Sequence, residues 1–389
     1  MAEPSHTTRD GGREGSLSLA FVGEPNSIHT RRWTGYLASR GHRVSLIVGR
    51  DEVVAPGLHP DIVIERYVSY TQRPTHLISA FVAAWSFRRA VKRLHPDVLQ
   101  VHYLTNNGRL GWASGFHPYV LTVWGTDILV TANESWRARL ETRMALRAAD
   151  LVTATSAHLL DVSVVAGARR EKTELIHFGV DTELFRPGPD PVELRSRLGL
   201  SGRRVIFSPR TIHPLYHHET VIAALASLPA DAVVLMTKHL AESDELAALE
   251  DQATKLGVRD RMIVVDSVPH AEMPDYYRLA DVVVSVADSD GGPITVVEAL
   301  AAGRLIVATD LPSVREWQDV LDPAGLVVVA DAPATARAIE TLLSRGPAER
   351  EELARRGRQA VEERAGERAN MERMETLYRQ LAARRRKGA

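Results

Sequence analysis

Residues 287–316 read A-D-S-D-G-G-P-I-T-V-V-E-A-L-A-A-G-R-L-I-V-A-T-D-L-P-S-V-R-E. Acids, glycines and a hydroxyl are gathered there around what reads as a helix start. Gly291-Gly292-Pro293 is a turn, residues 295–302 carry helical patterning, and Gly303 stops them. The first N–H groups of a helix lack intrahelical partners and face the positive end of its dipole, so they suit a phosphate. Asp290 stands before this helix and Glu298 inside it. Carboxylates repel phosphate, but they accept hydrogen bonds from ribose and sugar hydroxyls. The combination fits a nucleotide that also carries hydroxyl-rich groups.

Two apolar runs, 282–286 and 305–308, flank the loop and helix as strands. The same alternation precedes them: strand 205–208 leaves through Pro209-Arg210-Thr211-Ile212-His213-Pro214-Leu215-Tyr216, a helix covers 218–228, and strand 232–236 leads to Lys238. Helix 243–256, strand 262–265 and helix 273–280 follow. Residues 333–345 and 348–383 complete this half as helices, the last long and heavily charged.

The first half opens with strand 17–23, the loop Glu24-Pro25-Asn26-Ser27, a helix over 28–40 and strand 42–48, a βαβ unit that starts a doubly wound parallel sheet. No G-x-G-x-x-G follows the first strand, so nothing supports a dinucleotide coenzyme. Asn26, Ser27, His29, Arg31 and Arg32 lie where a ligand contact is possible; an N-cap with a solvated helix face is the alternative. Residues 51–75 show little pattern. Residues 77–93 form an amphipathic helix whose terminal Arg88, Arg89, Lys92 and Arg93 complement its dipole, with a membrane-facing basic patch as the alternative. Strand 98–102 exits through His102 into a polar loop, and strand 120–124 exits through Trp124 to Asp127. Ligands of open parallel sheets bind outside the carboxyl ends of strands, which marks His102 and Asp127. Helix 134–149, strand 151–156, helix 158–166 and strand 175–178 lead to a Pro/Gly-rich boundary at 187–191.

At 389 residues the chain is long enough for two cores. Its 48 basic and 49 acidic residues nearly cancel, which argues against a polyanion-binding role and hence against nucleic acid. It has no cysteine, so disulfides and thiolate metal sites are excluded. Residues 1–15 are polar, lack a signal-peptide core and read as a disordered tail. No apolar run approaches a membrane span. The expectation is a cytoplasmic protein with at most a peripheral contact at the inner face of the membrane.

Four stretches, in order, resemble the GT-B glycosyltransferases of the retaining family 4 type: G-E-P-N-S-I-H-T-R-R-W from Gly23, G-V-D-T-E-L-F-R-P from Gly179, Arg210, and the acid–x7–acid motif Asp290 to Glu298 followed by A-L-A-A-G and Glu316. The resemblance implies an α/β chain of two Rossmann-like doubly wound domains facing a cleft, with a C-terminal helix crossing back. Expected divisions are a tail 1–15, an acceptor-side domain 16–186, a linker 187–202, a nucleotide-sugar-binding domain 203–365, and a terminal helix with basic tail 366–389.

By position, Glu298 would bind donor ribose hydroxyls, Asp290 the transferred sugar and Arg210 the diphosphate. Gly291, Gly292 and the amides around Ile294 and Thr295 would line the phosphate seat; Pro293 has no N–H to give. The family's lysine five residues after the arginine is Leu215 here, with Tyr216 in place of the glycine after it. His213, His217, His218 or Lys238 is left to substitute. The family's usual glutamate is Asp290, and its histidine at a strand exit is Trp124, with His102 or Asp127 left to compensate. Expected catalytic groups are Asp127, His102, Arg210 and Asp290; Asn26, Ser27, His29, Arg31, His102, Trp124 and Asp127 are expected on the acceptor side. Asp288-Ser289-Asp290 also spells the D-x-D of metal-dependent transferases, but its strand–loop–helix setting favours a metal-free site. The implied activity is sugar transfer from a nucleoside-diphosphate sugar, as co-substrate, to a hydroxyl acceptor such as a glycan, a lipid-linked sugar or a small metabolite. No other cofactor is expected. A non-catalytic donor-binding subunit and a GT-B epimerase or phosphorylase are the alternatives.

Overall fold

A computed structural model describes residues 15–69, 76–238 and 243–388. Its contacts divide the chain into two units. One comprises residues up to Thr153, Val162–Glu174 and the chain from Met371; the other comprises Ala154–Asp161 and Leu175–Asn370.

The first sheet has seven strands: β1 (Ser18–Val22), β2 (Arg43–Gly49), β3 (Val63–Tyr67), β4 (Val98–His102), β5 (Tyr119–Val123), β6 (Leu151–Ala154) and β7 (Thr173–Leu175), in the order β3-β2-β1-β4-β5-β6-β7. The second has six: β8 (Arg204–Ser208), β9 (Ala232–Thr237), β10 (Met262–Val265), β11 (Val282–Ser285), β12 (Leu305–Thr309) and β13 (Leu326–Val327), in the order β10-β9-β8-β11-β12-β13. β1 pairs in parallel with β2 and β4, and β8 with β9 and β11. Both sheets therefore run outward from the first strand and then reverse, the doubly wound Rossmann-like order, with a switch point between β1 and β4 and another between β8 and β11.

Near-continuous apolar strands follow from burial of both sheet faces. Val205 and Phe207 of β8, Val233 and Leu235 of β9 and Val283 of β11 belong to one core cluster. The residues between them, Ile206, Val234, Met236, Val282 and Val284, belong to the other.

Several readings of the sequence change. The unpatterned residues 51–75 contain β3, an edge strand V-I-E-R-Y exposed at Val63 and Ile64, whose mixed polarity hides its pairing with β2. The polar exit of β4 becomes a helix, Thr105–Ser114. The last strand of the first half lies at Thr173–Leu175, not at 175–178. Residues 187–202 are not bare linker: Val192–Arg197 is helical, with Leu194 and Leu200 in the core. The long terminal helix is two, Pro347–Arg364 and Glu367–Gly388, broken at Ala365-Gly366.

That break explains the G-V-D-T-E-L-F-R-P run. Val180 bridges Gly366: its N–H donates to Ala365 O at 2.9 Å, and Glu367 N–H returns to Val180 O at 3.0 Å. Gly179 sits at φ +76°, and a Cβ there would lie 2.7 Å from Glu367 Cα, so backbone approach demands glycine. Arg358 donates to the carbonyls of Thr182, Phe185 and Ala301, fixing the run to the helix behind it.

Beyond the break the terminal helix joins the first unit, so the expected return to the N-terminal domain is present. Tyr378, fully buried, donates to Gln100 of β4 at 2.7 Å. Glu375 accepts from Arg379 at 2.7 Å and Arg40 at 3.2 Å, with His42 Nε2 at 3.2 Å.

Candidate active site

Arg210 follows β8 and Asp290 follows β11, so adjacent strands deliver them to the second sheet's switch point, where open α/β sheets bind ligands. The guanidinium lies over the Tyr216 ring, 4.1 Å from its centroid. Its Nη1 is 3.3 Å from Asp290 Oδ2 and donates to Thr295 Oγ1 at 3.3 Å. Both side chains are largely buried, at 14% and 10% exposure. Burial pushes the Asp290 carboxyl above its ordinary pKa, and Arg210 with the Gly292 amide pulls it only partly back. Ser313 donates its hydroxyl to the Asp290 carbonyl, which fixes the loop below. The structure thus gives Asp290 to Arg210 as an orienting partner, with carboxylate lone pairs to spare for a sugar hydroxyl.

Pro293 has φ −74° and ψ 69°, an inverse γ-turn in which Ile294 N–H donates to Gly292 O at 2.7 Å. The Ile294 amide is therefore spent inside the loop. The seat at the mouth of helix Ile294–Ala301 falls to the amides that follow, from Thr295 on. One turn further in, Glu298 is half-buried and accepts from Tyr277 at 2.7 Å. Burial, and then the charge of Glu298, raises the Tyr277 pKa well above the ordinary range, so the phenol stays a donor. Glu298 is thereby held as a fixed acceptor one turn inside the helix.

The loop leaves no room at Gly292. A Cβ there would lie 2.7 Å from Thr155 Oγ1 and 2.9 Å from Thr155 Cβ, while Thr155 donates to Gly291 O at 3.4 Å. Gly292→Ala is expected to displace the loop and weaken donor binding by roughly tenfold or more, as a small misplacement of positioned groups does. Donor titration checks it, and Thr155→Gly in the same chain should restore much of the loss.

Each acid of the D-x-D has its own basic partner: Arg210 for Asp290 and His217 for Asp288. Asp288 Oδ1 is 2.8 Å from His217 Nε2, whose Nδ1 is 2.6 Å from Glu219. Burial alone would lower the His217 pKa, but the two carboxylates raise it overall. Among the described residues no group of three or more His, Asp and Glu is placed to hold a metal.

The substitutes for the missing lysine sort themselves. Lys238 is half-exposed and pairs with Asp266 at 2.7 Å, not with Asp290. His213 accepts from the Leu215 amide at 3.2 Å, a turn cap. His218 is buried, with Nδ1 3.3 Å from Ser208 Oγ and Nε2 3.0 Å from Thr211 O. Leu215 contributes its carbonyl, which accepts from Asp288 N–H at 3.0 Å. Only His217, of the four, touches an acid of the motif. Glu316 is a cap: its oxygens accept from Ala157 N at 3.1 Å and His158 N at 2.9 Å, closing the start of helix Ala157–Ala166.

At the first unit's switch point, a cavity of about 700 Å³ lies beyond β1 and β4, lined among others by Gly23, Ser27, Tyr103, Asn106, Arg109 and Trp124. Ser27 and Trp124 are thus on it. Asn26 and Arg31 are not free for a ligand. Asn26 accepts from Ala55 N and Arg31 and donates to Val53 O, while Arg31 also bonds the carbonyls of Pro25, Ala55 and Pro56. They clamp the chain after β2 against the chain after β1. His29 is partly buried against Trp124, ring centroids 5.6 Å apart.

His102 and Asp127 are corrected most. His102 is buried between Phe21, Trp33 and Trp124, with centroids at 5.7, 4.8 and 5.4 Å, and among the described residues neither ring nitrogen has a hydrogen-bond partner. Burial pushes its pKa down to about 3, so it is a neutral core imidazole. Asp127 is fully buried, and its carboxylate accepts from the amides of Leu104, Trp124, Gly125 and Ile128. Its work is to fold two loops. Sequence reasoning missed Tyr216, Tyr277 and Tyr103; Tyr103 holds φ +73° and hydrogen-bonds Thr126 at 2.9 Å. Tyrosines spaced like ordinary helix or loop residues carry no signal of this use.

Two family models match the chain in order: "Glycosyl transferase 4-like" over residues 18–156 and "Glycosyl transferases group 1" over 193–360. A D-inositol 3-phosphate glycosyltransferase of Catenulispora acidiphila is 35% identical over 42% of this chain and 41% of its own. One of a Mycobacterium species is 29% identical over 65% and 60%. The match thus spans less than two thirds of either relative's own length. Anabaena HepE, crystallised with UDP and glucose, superposes with a TM-score of 0.76 at 21% identity, covering 93% of this chain and 99% of that one. Sucrose-phosphate synthase of Thermosynechococcus elongatus gives 0.76 at 20% identity, covering 94% and 99%. With both models in register on two doubly wound sheets, the chain belongs to the GT-B glycosyltransferases.

Proposed function

We propose that the protein is a retaining glycosyltransferase of the family 4 type that moves a sugar from a nucleoside-diphosphate sugar to a hydroxyl acceptor. The observation that carries this reading is Arg210, stacked on Tyr216 and oriented by Asp290 at the open mouth of helix Ile294–Ala301. As the glycosidic bond breaks, charge builds on the departing diphosphate. A fixed guanidinium and the amides from Thr295 on stabilise that charge without reorganising. Glu298 takes the ribose hydroxyls, Asp290 contributes to holding the transferred sugar, and Gly291 and Gly292 let the backbone come close. Retention proceeds without an assigned protein nucleophile. No metal is required, since fixed protein donors meet the diphosphate.

The acceptor enters the cavity at β1 and β4, bounded by Ser27 and Trp124. Because HepE was crystallised with UDP, uridine diphosphate sugars are the first donors to test. The working place is the cytoplasm, with at most a peripheral contact at the inner face of the membrane; no described helix is long and apolar enough to cross one.

A panel of nucleotide sugars read by thermal shift tests the donor site, because a ligand that binds the native state raises apparent stability. One or more donors should shift the melting temperature, and Glu298→Ala should weaken that donor by roughly 10- to 100-fold, the worth of a charge-assisted contact. No shift with any donor would sink the reading. Leu215, in the place of a cation, favours a second reading, a donor-binding subunit without turnover. It predicts donor binding with no transfer until a partner chain is added.

A further inference from the structure

The helix His76–Leu94 has two working faces. Ala80, Ala83 and Ala84 line the cavity of the first unit. Away from it, Ile78, Phe81, Val82 and Trp85 are exposed, Phe81 at 72% and Trp85 at 55%. Arg88, Arg89 and Lys92 continue the same stripe at helical spacing, all exposed. Arg89 lies over the Trp85 ring at 5.5 Å.

A second basic segment, distant in sequence, meets the basic end of this stripe. Arg385 of helix Glu367–Gly388 sits 4.5 Å from the Phe116 ring centroid and donates to Pro96 O at 2.7 Å. Arg386 pairs with Asp97 at 2.9 Å. Gly115, beside Phe116, is also where the Arg88 guanidinium lies: a Cβ on Gly115 would be 3.8 Å from Arg88 Nη1. Residues 384–387, Arg-Arg-Arg-Lys, are all exposed. Asp97 and Glu65, the latter paired with Arg93, are acids facing this cluster, and cations outnumber them.

We propose that this surface docks on an anionic lipid bilayer, Ile78, Phe81 and Trp85 entering the headgroup–acyl boundary while Arg88, Arg89, Lys92 and residues 384–387 meet the anionic headgroups. Charge selects the occupant. Basic residues beside exposed Trp and Phe on an amphipathic helix suit an interfacial position, and two separate basic segments converging there exceed what one helix dipole needs. The proposal deepens the peripheral contact proposed above. It also has a consequence: the helix that rests on the bilayer lines the cavity on its other side, so the acceptor it serves is one carried on a lipid.

Flotation of the full chain with vesicles tests it, comparing phosphatidylcholine alone with phosphatidylcholine containing phosphatidylglycerol. Binding should be at least about tenfold stronger on the anionic vesicles and weaken at high salt. Phe81→Ser with Trp85→Ser, and separately R384Q with R385Q and R386Q, should each reduce it by about tenfold or more. Trp136→Ser, on another exposed aromatic, should not. The donor-induced thermal shift should persist in every variant, so failure here is distinguishable from failure of the donor reading. Absent binding, equal binding to neutral vesicles, or variants that bind like the parent would overturn the proposal. So would variants that abolish self-association of a chain that binds no vesicles, since the face would then join two copies.

Discussion

Replacing Arg210 with alanine is expected to lower kcat/KM by about 10²- to 10³-fold, the effect of removing one fixed donor from a developing anion. Three losses coincide. The diphosphate loses its cation, Tyr216 loses the group stacked on it, and Asp290 keeps a carboxylate with its partner gone. The last makes the variant worse than a simple deletion, because an uncompensated buried charge facing a phosphate seat repels the ligand. Steady-state kinetics with calorimetric donor titration separate these terms. Arg210→Lys keeps the charge but not the planar fork, and should recover only part of the loss. Adding Asp290→Asn to Arg210→Ala should improve donor affinity over the single variant, a coupling read from the double-mutant cycle. The sign with pH follows. Burial already holds the Asp290 carboxyl above its ordinary pKa, and loss of Arg210 removes the larger of the two groups that pull it down, leaving the Gly292 amide. Donor affinity of Arg210→Ala should therefore rise as pH falls through protonation of Asp290. Unchanged affinity in the single variant would place the donor elsewhere.

The fold was legible where both faces of a strand are buried, and the seat was legible where backbone geometry needs special residues. Val282–Ser285 and Leu305–Thr309 are apolar because two core clusters sandwich their sheet, so their runs stand out in the sequence. Gly291-Gly292-Pro293 stands out because the loop is too tight for a side chain at Gly292 and turns at Pro293. What stayed hidden is of another kind. β3 is an edge strand, and half-exposed residues carry no apolar run. The break at Ala365-Gly366 depends on Val180, far away in the chain, and charge patterning on either side reads as one helix. Side-chain roles were hidden most. A polar residue at the carboxyl end of a parallel strand is marked equally whether it faces ligand or backbone, so position drew attention to His102 and Asp127 without revealing that both face inward.

Asp127→Ala is expected to be the most destabilising of the substitutions considered. The carboxylate satisfies four backbone amides at no exposure to solvent, and alanine leaves them buried without an acceptor. Each orphaned donor costs about 1–3 kcal/mol, and water entering the vacated space offsets part of it. A net loss on the order of 4 kcal/mol is expected, which for a unit of this size lowers the melting temperature by roughly 10 °C. Asp127→Asn keeps one oxygen, and its NH2 cannot accept, so it should fall between alanine and the parent. A proton-transferring acid would behave in the opposite way. Asn would then abolish turnover and leave the melting temperature near that of the parent. The structure predicts instead that the Asn chain, assayed cold enough to stay folded, retains turnover within about tenfold of the parent, because the four amides and the two loops they belong to are what this carboxylate serves.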